Sequence, residues 1–200
     1  MVKVKKQNAS LIALSKGNYL IQSRNVNVPK FNFGEYGFTF PGACSLFGGE
    51  IEEGETPKEG FERELQEELP GIKFLDNLEY RAYDWAEQAE NIINKADKIF
   101  NGNVHAFLGF NLNDYIPQCA LGKERGNNTT YKEFLSKRKE CFYVTQINPK
   151  ILDEIEVKEG AKYMFLPHEA VRSLVMYPGD KLGLLDDIVL RVKSGEFILK

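Results

Sequence analysis

Residues 49–72, GEIEEGETPKEGFERELQEELPGI, restrict what this chain can become more than any other stretch. A Gly48-Gly49 turn leads through an acidic loop into a helix whose start is written in three residues. Thr56 is an N-cap, Pro57 takes the first helical position, where a missing N–H costs nothing, and Glu59 completes a capping box. Phe61, Leu65 and Leu69 then recur at i, i+4 and i+8, a stripe that faces a core. Glu64, Glu67 and Glu68 share a neighbouring face of the same helix. Like charges so spaced repel by about 0.2–0.5 kcal/mol per pair. Three of them, with Glu55 in the loop just before, call for a compensating cation. Carboxylate oxygens suit hard divalent ions such as Mg²⁺ or Mn²⁺.

Most glutamate-rich helices merely present a solvated face, but here the order of residues argues for more. Gly49, five residues, Glu55, seven residues, Arg63-Glu64-Leu65-Gln66-Glu67-Glu68 and then Gly71-Ile72 resembles the Nudix box of the Nudix hydrolases. One departure is visible: Leu69 and Pro70 stand where the family has a single residue. Pro70 follows the acidic turn, so the extra residue is expected to alter the helix exit and leave the carboxylates in place. The resemblance implies an α/β fold, an αβα sandwich with a central mixed sheet. It also implies hydrolysis of the pyrophosphate linkage of a nucleoside diphosphate joined to another moiety, or of a related diphosphate.

By motif position, the resemblance makes Glu64, Glu67, Glu68 and the Gly49 carbonyl the metal ligands. Glu55 would hold the loop and have a share in the metal site. Arg63 would orient a carboxylate through its forked donors. The chemistry follows from charge. Attack of water on a pyrophosphate needs the charge on its non-bridging oxygens neutralised, which bound divalent cations do while acidifying bound water. Glu64 is the first choice as general base, with Glu159 or Glu154 from a distant loop in reserve. Two other classes carry less weight. A regulatory nucleotide-binding module of this family usually loses box glutamates, and this chain keeps them all. An isomerase resembling isopentenyl diphosphate isomerase would have a cysteine beside the glycine turn, where this chain has Phe47, with Cys44 farther back.

The 200 residues, 42% hydrophobic and 12% aromatic, suffice for the core of one domain spanning 1–200. A formal charge of −3 argues against a nucleic-acid partner or an anionic membrane surface. Three cysteines without a CxxC and only two histidines argue against a zinc site and for reduced, cytoplasmic thiols. The apolar run Leu11–Leu14 is too short for a membrane segment. The expected partner is a small nucleoside diphosphate derivative, and the assembly stays open between monomer and homodimer.

Residues 9–14 and 19–24 read as a β-hairpin around Lys16-Gly17-Asn18. Arg24, at the end of its second strand, is a candidate to face substrate, as basic residues do there in many Nudix proteins. Residues 25–42 read as an aromatic-rich loop and 43–47 as the strand delivering Gly49. Residues 72–85 read as extended, 86–100 as a helix, and 104–112 as a core strand after the Asn101-Gly102-Asn103 turn. The polar stretch 113–140 reads as an insertion with a basic tint and a helix over 131–139. Strands at 141–147 and 163–166, a helix start near Pro167 and a closing amphipathic helix on Leu182, Leu185, Ile188, Val189 and Val192 complete the chain.

Overall fold

The computed structural model describes residues 6–23, 44–71, 78–116, 129–148, 150–153 and 162–198. Its first elements are β1 (Lys6–Ser15), β2 (Asn18–Ser23), β3 (Cys44–Ser45), β4 (Phe47–Glu50), α1 (Pro57–Glu68) and β5 (Glu79–Asp84). Then come α2 (Trp85–Ile99), α3 (Val104–Leu108), α4 (Tyr131–Leu135), β6 (Arg138–Gln146) and α5 (Lys150–Asp153). The chain closes with β7 (Lys162–Pro167), α6 (His168–Val171) and α7 (Pro178–Lys193).

β1 is the axis of the sheet. It runs parallel to β6, pairing Lys6 with Arg138 through Leu14 with Gln146, and antiparallel to β2 and β4. The strand order is β3-β2-β1-β6-β5, with β4 also on β1 and β7 on β2. Side chains alternate between faces with the strand period of two. Ala9, Leu11 and Ala13 pack with Phe61, Leu65 and Leu69 of the α1 side, all at most 2% exposed. Ile12 and Leu14 point the other way, into a larger core with α2, α3, α4 and α7. The mixed sheet is therefore flanked by helices on both faces, the αβα sandwich that the box implies.

One feature of the sheet positions the site. β1 and β2 pair only beside their turn, at Leu14 with Tyr19 and Ser15 with Asn18. The segment 44–50 fills the fork between them: Cys44 and Ser45 pair with β2, and Phe47–Glu50 with β1. At Leu46, between β3 and β4, the backbone N–H donates to the buried Asp180 carboxylate at 3.0 Å. Gly48 and Gly49 are thereby fixed opposite Ser10 and Ala9.

α1 forms as its sequence dictates. Thr56 Oγ1 accepts from the Glu59 N–H, and Glu59 in turn accepts from the Thr56 N–H at 2.8 Å. Phe61 stacks on Tyr143 with ring centroids 4.2 Å apart, and burying such a ring contributes about 1.5–3 kcal/mol. The extra residue in the box affects only the exit: Leu69 is fully buried, and Gly71 turns the chain at φ 88°. The hairpin, α2 and the strands β6 and β7 also stand close to where the sequence puts them.

Two expectations are corrected. Residues 104–112 are not a core strand: Val104–Leu108 is helical and ends at Gly109. Its buried residues Val104, Phe107 and Leu108 stand at i, i+3 and i+4, a helical spacing that the dense apolar run conceals. The helix expected over 131–139 stops at Leu135, and β6 begins at Arg138, because pairing with β1 and β5 overrides local propensity. The aromatic loop 25–42, Arg24, Glu154, Glu159 and residues 117–128 of the expected insertion lie outside the described residues.

The α7 face holds a buried charge network that hydrophobic patterning does not announce. Asp187, 0% exposed, accepts from Tyr19 Oη at 2.6 Å, Arg81 Nη1 at 2.8 Å and Arg191 Nε at 2.7 Å. Lys181, 1% exposed, donates to the carbonyls of Val171, Arg172 and Leu174, closing the end of α6. Glu140 lies against Gly179 at the start of α7, where a β-carbon would collide with its carboxylate. Burial, reinforced by Asp180, pushes Glu140 up to about 8.

Candidate active site

Five box side chains gather where α1 crosses the Gly48-Gly49 turn, and Arg63 is the hub for Glu55, Glu64 and Glu67. Its Nε donates to Glu55 Oε1 at 2.8 Å and its Nη2 to Glu55 Oε2 at 3.1 Å, a two-pronged pair. Nη2 also reaches the Glu50 carbonyl at 2.9 Å, and Nη1 donates to Glu64 Oε1 at 2.8 Å. The Glu67 carboxylate stands 3.7 Å from Nη1 with 59% of its side chain exposed. Charged hydrogen bonds of this kind are shorter and stronger than neutral ones, and solvent screens these in part. Arg63 first, and the Glu52 N–H second, hold the Glu55 carboxyl below the usual carboxylate range. Glu55 in turn raises the Arg63 guanidinium further above its ordinary value.

The glycine pair lets the helix come this close. A β-carbon at Gly49 would overlap the Glu64 carboxylate, and one at Gly48, whose φ is 129°, would overlap the backbone of Ala9. Without side chains there, Glu64 lies directly on the turn. Glu68 is drawn in deepest, at 4% exposed. Its Oε2 accepts from the Gly48 N–H at 2.6 Å and its Oε1 from Gln22 Nε2 at 3.4 Å.

The structure thus gathers Glu55, Arg63, Glu64 and Glu68 around the turn that ends in Gly49, with Glu67 at the open edge. Sequence reasoning missed three contributors. The Gly48 N–H, the Glu50 carbonyl and the Gln22 amide orient box residues through atoms that no residue pattern marks. The donor chemistry is that of a hard divalent cation, all carboxylate and carbonyl oxygen. Among the described residues, no three acidic, histidine or cysteine side chains converge closely enough to hold an ion as they stand. The carboxylates are instead engaged by Arg63, Gly48 and Gln22.

The sequence matches the family model of the NUDIX domain over residues 5–107, just over half of the chain. The chain belongs to the Nudix hydrolase family. No curated protein matches it in sequence. Among solved structures it is similar in fold to a C. elegans Ap4A hydrolase, at 12% identity and TM-score 0.51, covering 96% of this chain and 99% of that one. A MutT protein from Methanosarcina mazei Go1 is similar at 14% identity and TM-score 0.50, covering 96% and 98%. A bifunctional NMN adenylyltransferase/ADP ribose pyrophosphatase from Francisella tularensis, solved complexed with AMP and a manganese ion, is similar at 10% identity and TM-score 0.50. That alignment covers 95% of this Nudix chain but 42% of the bifunctional one. The family match ends at residue 107, yet β6 and β7 beyond it supply neighbours for β1 and β2. The Nudix sheet is complete only with the second half of the chain. No helix among the described residues is long and apolar enough to cross a membrane.

Proposed function

We propose that this chain hydrolyses the pyrophosphate linkage of a nucleoside diphosphate joined to another moiety, or of a related small diphosphate. The observation that carries this reading is the fastening of Glu64 and Glu68 on the Gly48-Gly49 turn, with Arg63 tying Glu64 to Glu55. Glu64, Glu67, Glu68 and the Gly49 carbonyl are the groups that would hold Mg²⁺ or Mn²⁺, with Glu55 behind them. When bound, the cation supplies Lewis-acid neutralisation of diphosphate charge.

The chain's own residues do the positioning. Arg63 fixes the Glu64 carboxylate from one side while Glu55 and the Glu50 carbonyl hold the guanidinium still. The Gly48 N–H fixes Glu68. Glu64 is the proposed proton acceptor for the attacking water, with Glu159 or Glu154 as the reserve, and Arg24 is proposed to meet the substrate. These last three lie outside the described residues. A single domain over 1–200 with an inserted stretch near 113–140 and a cytoplasmic setting are further parts of the proposal, with the assembly open between monomer and homodimer.

The test is a panel of nucleoside diphosphate derivatives, dinucleotides and nucleoside triphosphates assayed for phosphate or nucleotide release with and without Mg²⁺. Turnover of one class that disappears with chelator and returns with Mg²⁺ is expected. Undiminished turnover after exhaustive metal removal would sink the metal assignment. Tight nucleotide binding with no turnover on any member would identify a regulatory binding module instead.

A further inference from the structure

Glu68 is held by a second partner that lies outside the box. Gln22 on β2 stands in register with Ser45 on β3, where the segment 44–50 enters the fork of the sheet. All three residues are nearly sealed from water: Gln22 is 2% exposed, Ser45 4% and Glu68 4%. Ser45 Oγ donates to Gln22 Oε1 at 2.8 Å, and Gln22 Nε2 donates to Glu68 Oε1 at 3.4 Å. The direction of this chain follows from reading Glu68 as a cation ligand, which serves as such only when ionised. An ionised carboxylate only accepts, so the amide must turn its NH₂ toward Glu68. The amide oxygen then faces Ser45, which must donate. A flipped amide would set its oxygen against a carboxylate in a buried site.

The two oxygens of Glu68 are therefore addressed from two different strands. The Gly48 N–H beside β1 takes Oε2, and the β2 amide takes Oε1. This fixes the plane of the carboxylate in a way that either contact alone would not, since one donor still allows rotation about χ3. We propose that Gln22 and Ser45 are positioning residues of this enzyme: a Ser45-to-Gln22-to-Glu68 hydrogen-bond relay presents the Glu68 carboxylate to a divalent cation. The inference rests on the reading of Glu68 as a metal ligand and extends it to two residues that no box position marks. Outer partners of this kind typically change metal affinity by about 10–100-fold when removed.

The test compares wild type, Gln22→Met, Ser45→Ala, the double variant and Glu68→Gln by Mn²⁺ titration calorimetry and by metal-free melting. Gln22→Met keeps the side-chain volume but loses the amide. It is expected to raise the Mn²⁺ dissociation constant by about 10–100-fold, with metal-free melting little changed. Ser45→Ala should raise it by a smaller factor. The double variant should bind no worse than Gln22→Met, because Ser45 acts only through Gln22. A wild-type dissociation constant in Gln22→Met, or losses that multiply in the double variant, overturns the relay. Should Gln22→Met fail to fold, Ser45→Ala decides, and an unchanged affinity there overturns it too. Glu68→Gln separates the two readings. If it binds Mn²⁺ as wild type does, or wild type binds none, the metal-ligand reading falls and takes the relay with it. If Glu68→Gln loses affinity while Gln22→Met does not, only the relay falls.

Discussion

Around Arg63, on the α1 face of the sheet, three carboxylates meet one guanidinium, with a fourth, Glu68, on the adjoining turn; around Asp187, on the α7 face, two guanidiniums and a tyrosine hydroxyl meet one buried carboxylate. The second cluster closes on itself. Asp187 is fully covered, and its two arginines reach outward to Glu79 and Glu196, so three carboxylates share two guanidiniums and the one surplus charge lies at the surface. The first leaves negative charge in excess and turns Glu67 outward to water. A buried carboxylate whose donors all come from the protein itself does structural work and has little left to offer a ligand. One with surplus charge at an open edge is poised to recruit a counter-ion. Both clusters lie in the same 200 residues, so their charge balance, and not their richness in charge, separates scaffold from site.

The sharpest way to break this comparison is to neutralise one charge in each cluster. In the first, Glu67→Gln is expected to lower kcat by a factor on the order of 10²–10⁵, since it removes one of the proposed ligands of a charge-neutralising cation and each tenfold is about 1.36 kcal/mol. The fold should survive, as judged by circular dichroism and melting. A variant that unfolds instead would give Glu67 a structural role and erase the contrast.

In the second cluster, Asp187→Ala should do the reverse. It leaves the Tyr19 hydroxyl unpaired in the interior and takes one partner from each of two arginines that keep Glu79 and Glu196, at a cost of about 1–3 kcal/mol. Urea denaturation should show that loss, while the fraction still folded turns over substrate within a few-fold of wild type. A kcat collapse with unchanged stability would mean that the α7 network belongs to the site.

A smaller effect sharpens the picture on the α7 face, at Glu140. Its carboxyl is raised from an ordinary 4.5 to about 8 by burial, so the folded state holds a proton that the unfolded chain releases. That contribution is fully present below about pH 4.5 and is lost as pH rises toward 8. Glu140→Gln, which mimics the protonated form, should therefore match wild type in stability near pH 4.5 and exceed it near pH 8. The gap should be on the order of a few kcal/mol or less. Denaturation curves for the pair at several pH values check this, and a gap that is flat with pH would refute the buried-acid account.

The carboxylates of the box were legible because their spacing is local: a helix places 64, 67 and 68 on one side whatever surrounds it. The capping box of Thr56 and Glu59 was legible for the same reason. The strand expected at 104–112 failed where local signals compete, since a dense apolar run fits either period until packing chooses one. Asp180, Lys181 and Asp187 were read past because a polar residue amid apolar ones looks solvated until its distant partners are known. Leu46 and Arg81 stand 134 and 106 positions away in the chain, and the end of α6 and Arg191, though nearer, become partners of Lys181 and Asp187 only when the helices pack.

By itself, then, the sequence determined α1, its cap, its acidic face, the glycine turn before it and the family to which these belong. Each of these depends on contacts within a few residues, and helix and turn geometry supplies those contacts without reference to the rest of the fold. The tertiary structure alone decided that Glu68 is buried and Glu67 exposed, that Gln22 and Ser45 stand behind the site, and that Asp180 pins the segment carrying Gly48 and Gly49. Those outcomes depend on β2, β3 and α7 meeting across 23 to 134 positions of chain, a separation over which no local pattern constrains which side chain meets which.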